Sequence, residues 1–242
     1  YSKHQESHAY MDHAGGGGPG GQHCYTTGLL YHYLLSGDPS SKNALFLLTE
    51  WITRIYEGSG SVLDVLLAIK NHRRIDLKNI ITGKYPLDRG TGNYINALLD
   101  TFTLTQSQTT LKQIENIIKN TVHPMDDIYN RNLDNIEVTW FYTVFFQSVC
   151  RYLATKEELS ELDESFYYAR DSLLHYADWM AENEYPYLQK PEILEFPNHT
   201  WTAQDLRKVN LLRLAAHYSP KEEPHYLAKA EEIYNYIVKT LS

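Results

Sequence analysis

The sequence predicts an all-α protein built from helical hairpins. Apolar residues recur at spacings of three and four through most of the 242 residues, and no alternation typical of strands competes with that period. Short polar turns and long irregular connections separate the periodic segments, as in antiparallel helix pairs packed side by side. The hydrophobic content of 43% and the charged content of 21% are those of an ordinary globular chain.

Nine helices are predicted in chain order, after a segment rich in glycine and histidine. Residues 1–23 form that segment, and residues 24–242 form one domain. The first helix ends at Ser36-Gly37-Asp38-Pro39, because glycine and proline are typical helix stop signals. The predicted helices cover residues 24–35, 41–56, 62–71, 93–104, 109–122, 136–153, 162–182, 202–217 and 224–241.

The predicted helices form an imperfect internal repeat. Four times a helix ends in a short polar turn and a second helix follows, and the turns are roughly 50 to 70 residues apart. We expect the long connections to lie together on one face of the helical array, because each precedes the first helix of a later pair. The turns are Leu35-Ser36, Leu104-Thr105, Ala154-Thr155 and Tyr218-Ser219, and the long connections are residues 72–91, 123–135 and 185–200.

One hairpin turn carries a resemblance to known proteins. Residues 28–38 read Gly-Leu-Leu-Tyr-His-Tyr-Leu-Leu-Ser-Gly-Asp, and residues 98–105 are a weaker copy. The segment resembles the turn of the α/α-toroid domains of polysaccharide lyases and glycoside hydrolases. The resemblance is one of architecture and covers most of residues 22–242. It implies inner and outer helices around a central cavity. A complete toroid of six hairpins needs about twelve helices, so the nine predicted helices indicate an incomplete ring or part of a longer one.

Composition excludes several classes of protein. The net charge of −8 argues against a nucleic-acid partner, since such binders carry basic stripes. No apolar run approaches ~18 residues, so no membrane span is predicted. The chain starts at Tyr1 and not at Met, which indicates a processed product, an engineered piece or part of a longer polypeptide with further domains. Two cysteines without a disulfide framework favour reduced core residues at Cys24 and Cys150.

The candidate site comprises four predicted helix starts, at residues 22–25, 89–94, 137–142 and 198–207. In a toroid these starts would face the long connections, and each carries an aromatic ring beside polar groups. Aromatic faces stack on sugars, while amides and guanidinium groups bind hydroxyls and carboxylates. The expected substrate-binding residues are Trp140, Tyr142, Asn198, Trp201, Gln204 and Arg207. The alternative is that the aromatic residues among them are simply core.

The candidate catalytic residues suit β-elimination from an acidic glycan. Such a reaction needs a base, a proton donor and a cation that neutralises the uronate carboxylate. His23 stands at a predicted helix start, where the helix dipole favours the neutral imidazole of a general base. Tyr25 or Tyr94 would donate the proton, and Arg89 or Arg207 would neutralise the carboxylate.

Hydrolysis of a glycan is an open alternative that needs two carboxylates about 5–10 Å apart. The candidates at the long connections are Asp12, Asp88, Glu137 and Asp205. A metal site at His8, Asp12, His13 and His23 is disfavoured, because the spacing matches no compact ligand motif, and no cofactor is expected.

The sequence therefore predicts a carbohydrate-active enzyme domain that acts on an acidic polysaccharide or oligosaccharide, with lyase chemistry favoured over hydrolysis. By analogy with such enzymes, a secreted or periplasmic location is favoured. A non-catalytic helical-repeat module that binds glycan or protein is an alternative of another class. An isoprenoid cyclase is disfavoured, because no Asp-rich diphosphate motif is present.

Overall fold

The computed structural model describes residues 21–58, 85–222 and 224–242. These residues contain helices and no strand, so the all-α prediction is confirmed. The predicted helix at 62–71 and nearly all of the glycine- and histidine-rich segment lie outside the described residues. The chain divides into two compact units: unit 1 comprises Tyr1–Asp76 and Arg89–Ile117, and unit 2 comprises Leu77–Asp88 and Ile118–Ser242.

The helices follow the predicted order, with shifted ends. A 3-10 turn at Gly21–His23 precedes α1 (Thr27–Ser36), α2 (Pro39–Glu57), α3 (Arg89–Thr105) and α4 (Gln108–Lys119). Further along the chain lie α5 (Ile136–Thr139), α6 (Tyr142–Glu158), α7 (Glu164–Asn183), α8 (His199–Tyr218) and α9 (Pro224–Leu241). Short 3-10 turns at Ile128–Arg131, Tyr187–Gln189 and Pro191–Ile193 interrupt the long connections of unit 2.

In unit 1, α1 and α2 form the hairpin that the sequence predicts at Ser36-Gly37-Asp38. Gly37 adopts a φ of 72°, which glycine tolerates without strain, and its N–H donates to Tyr33 O at 2.8 Å. Asp38 caps α2 by accepting from Ser40 N at 2.9 Å. Helix α3 packs against both α1 and α2, and most of its residues are buried.

In unit 2, α8 contacts α6, α7 and α9 and is the central helix of the bundle. Large aromatic rings fill the core beside it: Phe145, Phe146, Tyr152 and Tyr176 are each at most 1% exposed. The turn predicted at Ala154-Thr155 is wrong, because α6 continues to Glu158 and the short turn to α7 lies at 159–163. Helix α8 ends at Tyr218, at the predicted turn, and the longer connections run through residues 120–135 and 184–198.

The single helix predicted over residues 136–153 is wrong in one respect. Its backbone tightens at Trp140 and Phe141, where Thr143 N donates to Trp140 O and Val144 N to Phe141 O. These bonds span three residues, as in a 3-10 turn, so the one-turn helix α5 is separated from α6. The predicted burial of α6 is confirmed, since all residues from Tyr142 to Phe146 are buried.

Asp126 fixes the connection 120–135 to α7. Its Oδ2 atom accepts from Arg131 Nη2 at 2.7 Å, from the Tyr176 hydroxyl at 2.8 Å and from His123 N at 2.9 Å. The Asp126 carbonyl lies 2.7 Å from His175 Nε2, also on α7. Because the carboxylate is only 3% exposed, these charge-assisted bonds hold the connection in one place.

We expect Asp163→Ala to destabilise unit 2. Asp163 caps α7 by accepting from Phe166 N at 3.0 Å, and it also pairs with the buried Lys156 at 2.7 Å. Loss of a helix cap costs about 1 kcal/mol, and loss of a partner for a buried ammonium adds to it. Urea unfolding measures the change. The control is Asp171→Ala, at a partly exposed position on the same helix, expected within about 0.5 kcal/mol of wild type. Equal shifts in both variants would contradict this account.

Candidate functional site

A pocket of about 410 Å³ opens in unit 2, within the range of about 300–1,000 Å³ that ligand pockets occupy. Residues of both long connections form its walls, together with the C-terminal end of α7. In unit 2, therefore, the long connections share one site, as the repeat predicts. The lining residues are Ile128, Tyr129, Asn132, Leu133, Asp134, Ile136, Trp179, Asn183, Glu184, Tyr185, Lys190 and Ile193.

Glu184 is the buried carboxylate of this pocket. It directly follows α7 and is only 4% exposed. The Tyr142 hydroxyl donates to its Oε1 atom at 2.5 Å, and the Lys208 ammonium donates to Oε2 at 2.8 Å. Both oxygens are therefore held from the protein side, which fixes the orientation of the carboxylate.

Lys208 is the cation on which this arrangement depends. Its Nζ atom lies 3.0 Å from Asp205 Oδ1 and donates to Tyr185 O at 2.7 Å. It also sits 3.1 Å from the centroid of the Tyr187 ring, a cation–π contact. Asp205 in turn accepts from Tyr187 N, at 3.1 Å through its Oδ2 atom. One ammonium group thus connects α8 to residues 184–187 of the long connection.

Burial dominates the electrostatics of this cluster. Burial raises the pKa of Asp205 to about 6, although the Lys208 ammonium and the hydrogen bonds to the carboxylate act to lower it. Burial also raises the pKa of Tyr142 well above its usual value, and the neighbouring Glu184 charge adds to the rise. Tyr142 therefore stays neutral at physiological pH, and its hydroxyl donates a hydrogen bond to Glu184.

Several predicted substrate-binding residues form an aromatic cluster beside the pocket. Trp140 and Trp201 contact edge to face, with ring centroids 6.1 Å apart, and Trp201 lies 5.3 Å from Tyr187. Both tryptophans pack partly exposed against buried Ile136, Tyr187 and Leu194. This matches the core alternative as much as a binding role, since neither tryptophan lines the pocket itself.

Glu137 and Asn198 make local structural contacts. Glu137 Oε1 accepts from Glu195 N at 2.6 Å, which ties α5 to the connection that follows α7. Asn198 caps α8 by accepting from Thr200 N at 2.9 Å. Neither residue lines the pocket.

Gln204 and Arg207 pair with each other on α8. Arg207 Nε donates to Gln204 Oε1 at 2.8 Å, and Arg207 Nη1 donates to Gln147 Oε1 on α6. The guanidinium group that was expected to neutralise a uronate thus joins two helices, and it lies outside the pocket lining. Tyr142, the last of the predicted binding residues, is fully buried behind Glu184.

In unit 1, the predicted helix start at Cys24 is wrong. Helix α1 begins at Thr27, and the hydroxyls of Thr26 and Thr27 donate to the buried Asp100 carboxylate at 2.6 and 3.0 Å. His23 therefore closes a 3-10 turn and does not stand at a helix N-terminus. The helix dipole therefore does not favour the neutral imidazole of His23, as the prediction of a general base assumed. Tyr25 precedes the helix and is 61% exposed, and the centroids of the Tyr25 and His23 rings lie 6.5 Å apart in an edge-to-face arrangement.

Arg89 and Tyr94 both lie on α3, which begins at Arg89 and not at the predicted Asn93. Arg89 Nη2 donates to Gln22 Oε1 at 3.1 Å. Tyr94 is 0% exposed and stacks on Tyr56 with ring centroids 5.0 Å apart, while its hydroxyl bonds to Gln113 and, at 3.4 Å, to Glu57. A ring buried in this way supports the packing of unit 1, and its hydroxyl would need a rearrangement to reach a substrate.

None of the residues that line the pocket is among the candidates predicted from the sequence. One sequence signal marks the buried ion pair behind the pocket. Asp205 and Lys208 stand one turn apart on α8, among the apolar residues Val209, Leu211 and Leu212. Opposite charges on an apolar helix face indicate a buried ion pair. No local pattern marks Trp179, Asp134 or Asn183, which come together only through tertiary packing.

Comparison with models of known protein families, with curated proteins and with solved structures finds no match to this chain. Among the described residues, no group of three or more His, Cys, Asp or Glu side chains could hold a metal ion, and His8, Asp12 and His13 lie outside those residues. In the part of the chain that the structure describes, no helix has both the length and the apolar character needed to cross a membrane. Cys24 and Cys150 are free and buried, as expected, and burial raises their pKa values to about 11 and about 12.

We expect Lys208→Met to lower the free energy of unfolding by about 3–5 kcal/mol, because two buried carboxylates lose their shared cation. Urea unfolding at neutral pH measures this. The control is Lys221→Met, an exposed lysine in the α8–α9 connection, expected to change stability by less than about 0.5 kcal/mol. Similar small effects in both variants would show that Lys208 does not hold the cluster together.

Asp205 gives a pH dependence whose sign follows from its raised pKa. The folded protein holds this proton up to about pH 6, whereas the ordinary pKa is 3.8. The native state therefore binds more protons between these values, and the contribution of Asp205 to stability is present at low pH and lost as the pH rises through about 6. Urea unfolding of wild type and Asp205→Asn across this range should show the stability of wild type falling relative to the variant. A constant difference would contradict the raised pKa.

Proposed function

We propose that the chain is a carbohydrate-active domain that binds an oligosaccharide in the pocket of unit 2. The observation that carries the proposal is the mixed lining of one concave site: aromatic rings, side-chain amides and carboxylates converge on the same volume. Sugars present apolar C–H faces and many hydroxyls, so a site for them needs both kinds of group.

The aromatic rings of the pocket supply the stacking surfaces. Trp179 projects from the last turns of α7, and Tyr185 follows that helix. Tyr129 belongs to the opposite wall, on the 3-10 turn of the connection 120–135, and is 78% exposed. Rings on two walls could hold a flat sugar between them.

The polar groups of the pocket supply directional contacts. Asn132 and Asn183 carry amides that can donate and accept, and Asp134 and Glu184 carry oxygens that accept from hydroxyls. Glu184 already accepts from Tyr142 and Lys208, yet each carboxylate oxygen can accept more than one hydrogen bond. A sugar hydroxyl could therefore add to the existing pair of bonds.

The site is also rigidly supported, which lowers the cost of binding. Lys208 fixes the wall at residues 184–187, and Asp126 fixes the opposite wall through Arg131 and Tyr176. Groups that are already ordered lose little conformational entropy when a ligand arrives.

The reaction proposed for a bound glycan is β-elimination or hydrolysis. The hydrolytic alternative gains support from the two carboxylates on one pocket, Asp134 and Glu184, because glycosidases work with such a pair. Ultraviolet absorbance of an unsaturated product and release of reducing ends distinguish the two reactions. Binding without either product would support the non-catalytic alternative.

We expect Trp179→Ala to weaken oligosaccharide binding by about tenfold or more, since removal of a central tryptophan typically costs about 2 kcal/mol. Calorimetric titration with neutral, basic and uronate oligosaccharides measures the affinity. The control is Trp51→Ala, which removes a half-buried tryptophan from α2 in unit 1. Urea unfolding verifies that both variants are folded.

A second variant tests the site without removing a packed ring. Asn132 is exposed and has a φ of 57°, which glycine adopts freely, so Asn132→Gly removes the amide and keeps the backbone. We expect weaker binding here too. Unchanged affinity in both pocket variants, or no binding of any oligosaccharide by wild type, would overturn the proposal.

A further inference from the structure

We propose that the pocket of unit 2 selects a sugar that carries a protonated amine, such as an oligomer of glucosamine, over a uronate. This inference rests on the proposed function and names the charge of its ligand. It reverses the acidic substrate that the arginines of the predicted helix starts suggest. Of the two proposed reactions it favours hydrolysis, because β-elimination requires a uronate.

The charged groups of the pocket favour a cation. Two carboxylates, Asp134 and Glu184, line it against one ammonium group, Lys190. Lys190 Nζ lies 3.9 Å from the centroid of the Tyr185 ring, so a cation–π contact already engages this charge. The lining, which consists entirely of described residues, includes no arginine, and Arg207 is bonded to Gln204 and Gln147.

The buried charges behind the pocket do not reverse the excess of carboxylates over ammonium groups in the lining. Lys208 adds one positive charge, but Asp205 lies 3.0 Å from it and adds a negative one. Together, three carboxylates face two ammonium groups across the pocket and the cluster behind it. Lys208 is buried between the carboxylates of Glu184 and Asp205, so Lys190 is the ammonium group of the lining that a uronate can reach. Asp134 and Glu184 line the same pocket and oppose the approach of a further negative charge.

Tyr185 lines the pocket and lies near several carboxylates. Its pKa is raised first by burial, and then by the charges of Glu184, Glu192 and Asp134. Three separate carboxylates therefore act on a ring that lines the pocket. A protonated amine at the same place gains from all three, and it also gains from the faces of the pocket rings.

The test compares three oligosaccharides of equal length by calorimetry with the full chain: oligomers of glucosamine, of N-acetylglucosamine and of a uronic acid. The pH is kept above about 6, where Asp205 is ionised, and below the pKa of the sugar amine. We expect the glucosamine oligomer to bind about tenfold more tightly than its acetylated counterpart, and the uronate to bind most weakly.

Two carboxylate variants locate the selectivity. Asp134→Asn removes an exposed carboxylate from the pocket with almost no change in shape, and should reduce the preference for the amine to about threefold or less while sparing the neutral oligomer. Glu222→Gln changes an exposed carboxylate of the α8–α9 connection and should leave the preference unchanged.

The outcomes separate this inference from the proposed function. Tighter binding of the uronate, equal binding of all three oligomers, or an unchanged preference in Asp134→Asn would overturn the inference and leave carbohydrate binding in place. Failure of all three to bind would overturn both.

Discussion

The buried ammonium group of Lys208 is the interaction on which unit 2 depends. It contacts the carboxylates of Glu184 and Asp205, a backbone carbonyl and the face of Tyr187, and it is 0% exposed. A buried charge is costly unless polar groups surround it, so the positions of the groups around Lys208 are fixed by their contacts with it. Residues 184–187 supply most of these groups, and they follow α7 and form one wall of the pocket. The same contacts that satisfy the lysine therefore shape the site.

A second buried ionic group, the Asp126 carboxylate, fixes the opposite wall of the pocket through hydrogen bonds. Asp126 accepts from Arg131, Tyr176 and a backbone N–H, and so holds the connection 120–135 against α7. Long connections are usually the most mobile parts of a helical bundle. Here each is anchored by a buried ionic group, one negative and one positive. A preformed pocket is the consequence, and its two walls carry rings, amides and carboxylates in fixed positions.

The toroid arrangement stays a prediction from the sequence. Within unit 2, both long connections line one site. The particular residues differ from the expectation. Positions at the helix starts, such as Glu137 and Asn198, make capping and bridging contacts, while the pocket uses Trp179 and Asp134, which stand elsewhere in the sequence. The first backbone N–H groups of a helix need hydrogen-bond acceptors, so polar residues at helix starts are commonly caps and not binding residues.

For the described residues, the sequence by itself determined the order of the helices and the turn at Ser36-Gly37-Asp38, because apolar periodicity, glycine and proline act over a few residues. It also indicated that α6 is buried, through its apolar residues on nearly all sides. Only the tertiary structure decided that Thr26 and Thr27 bind Asp100, which lies more than 70 residues away. It also decided that Tyr94 is core and that Glu184 meets Lys208. Such contacts join residues distant in the chain, and no local pattern encodes which partners will meet.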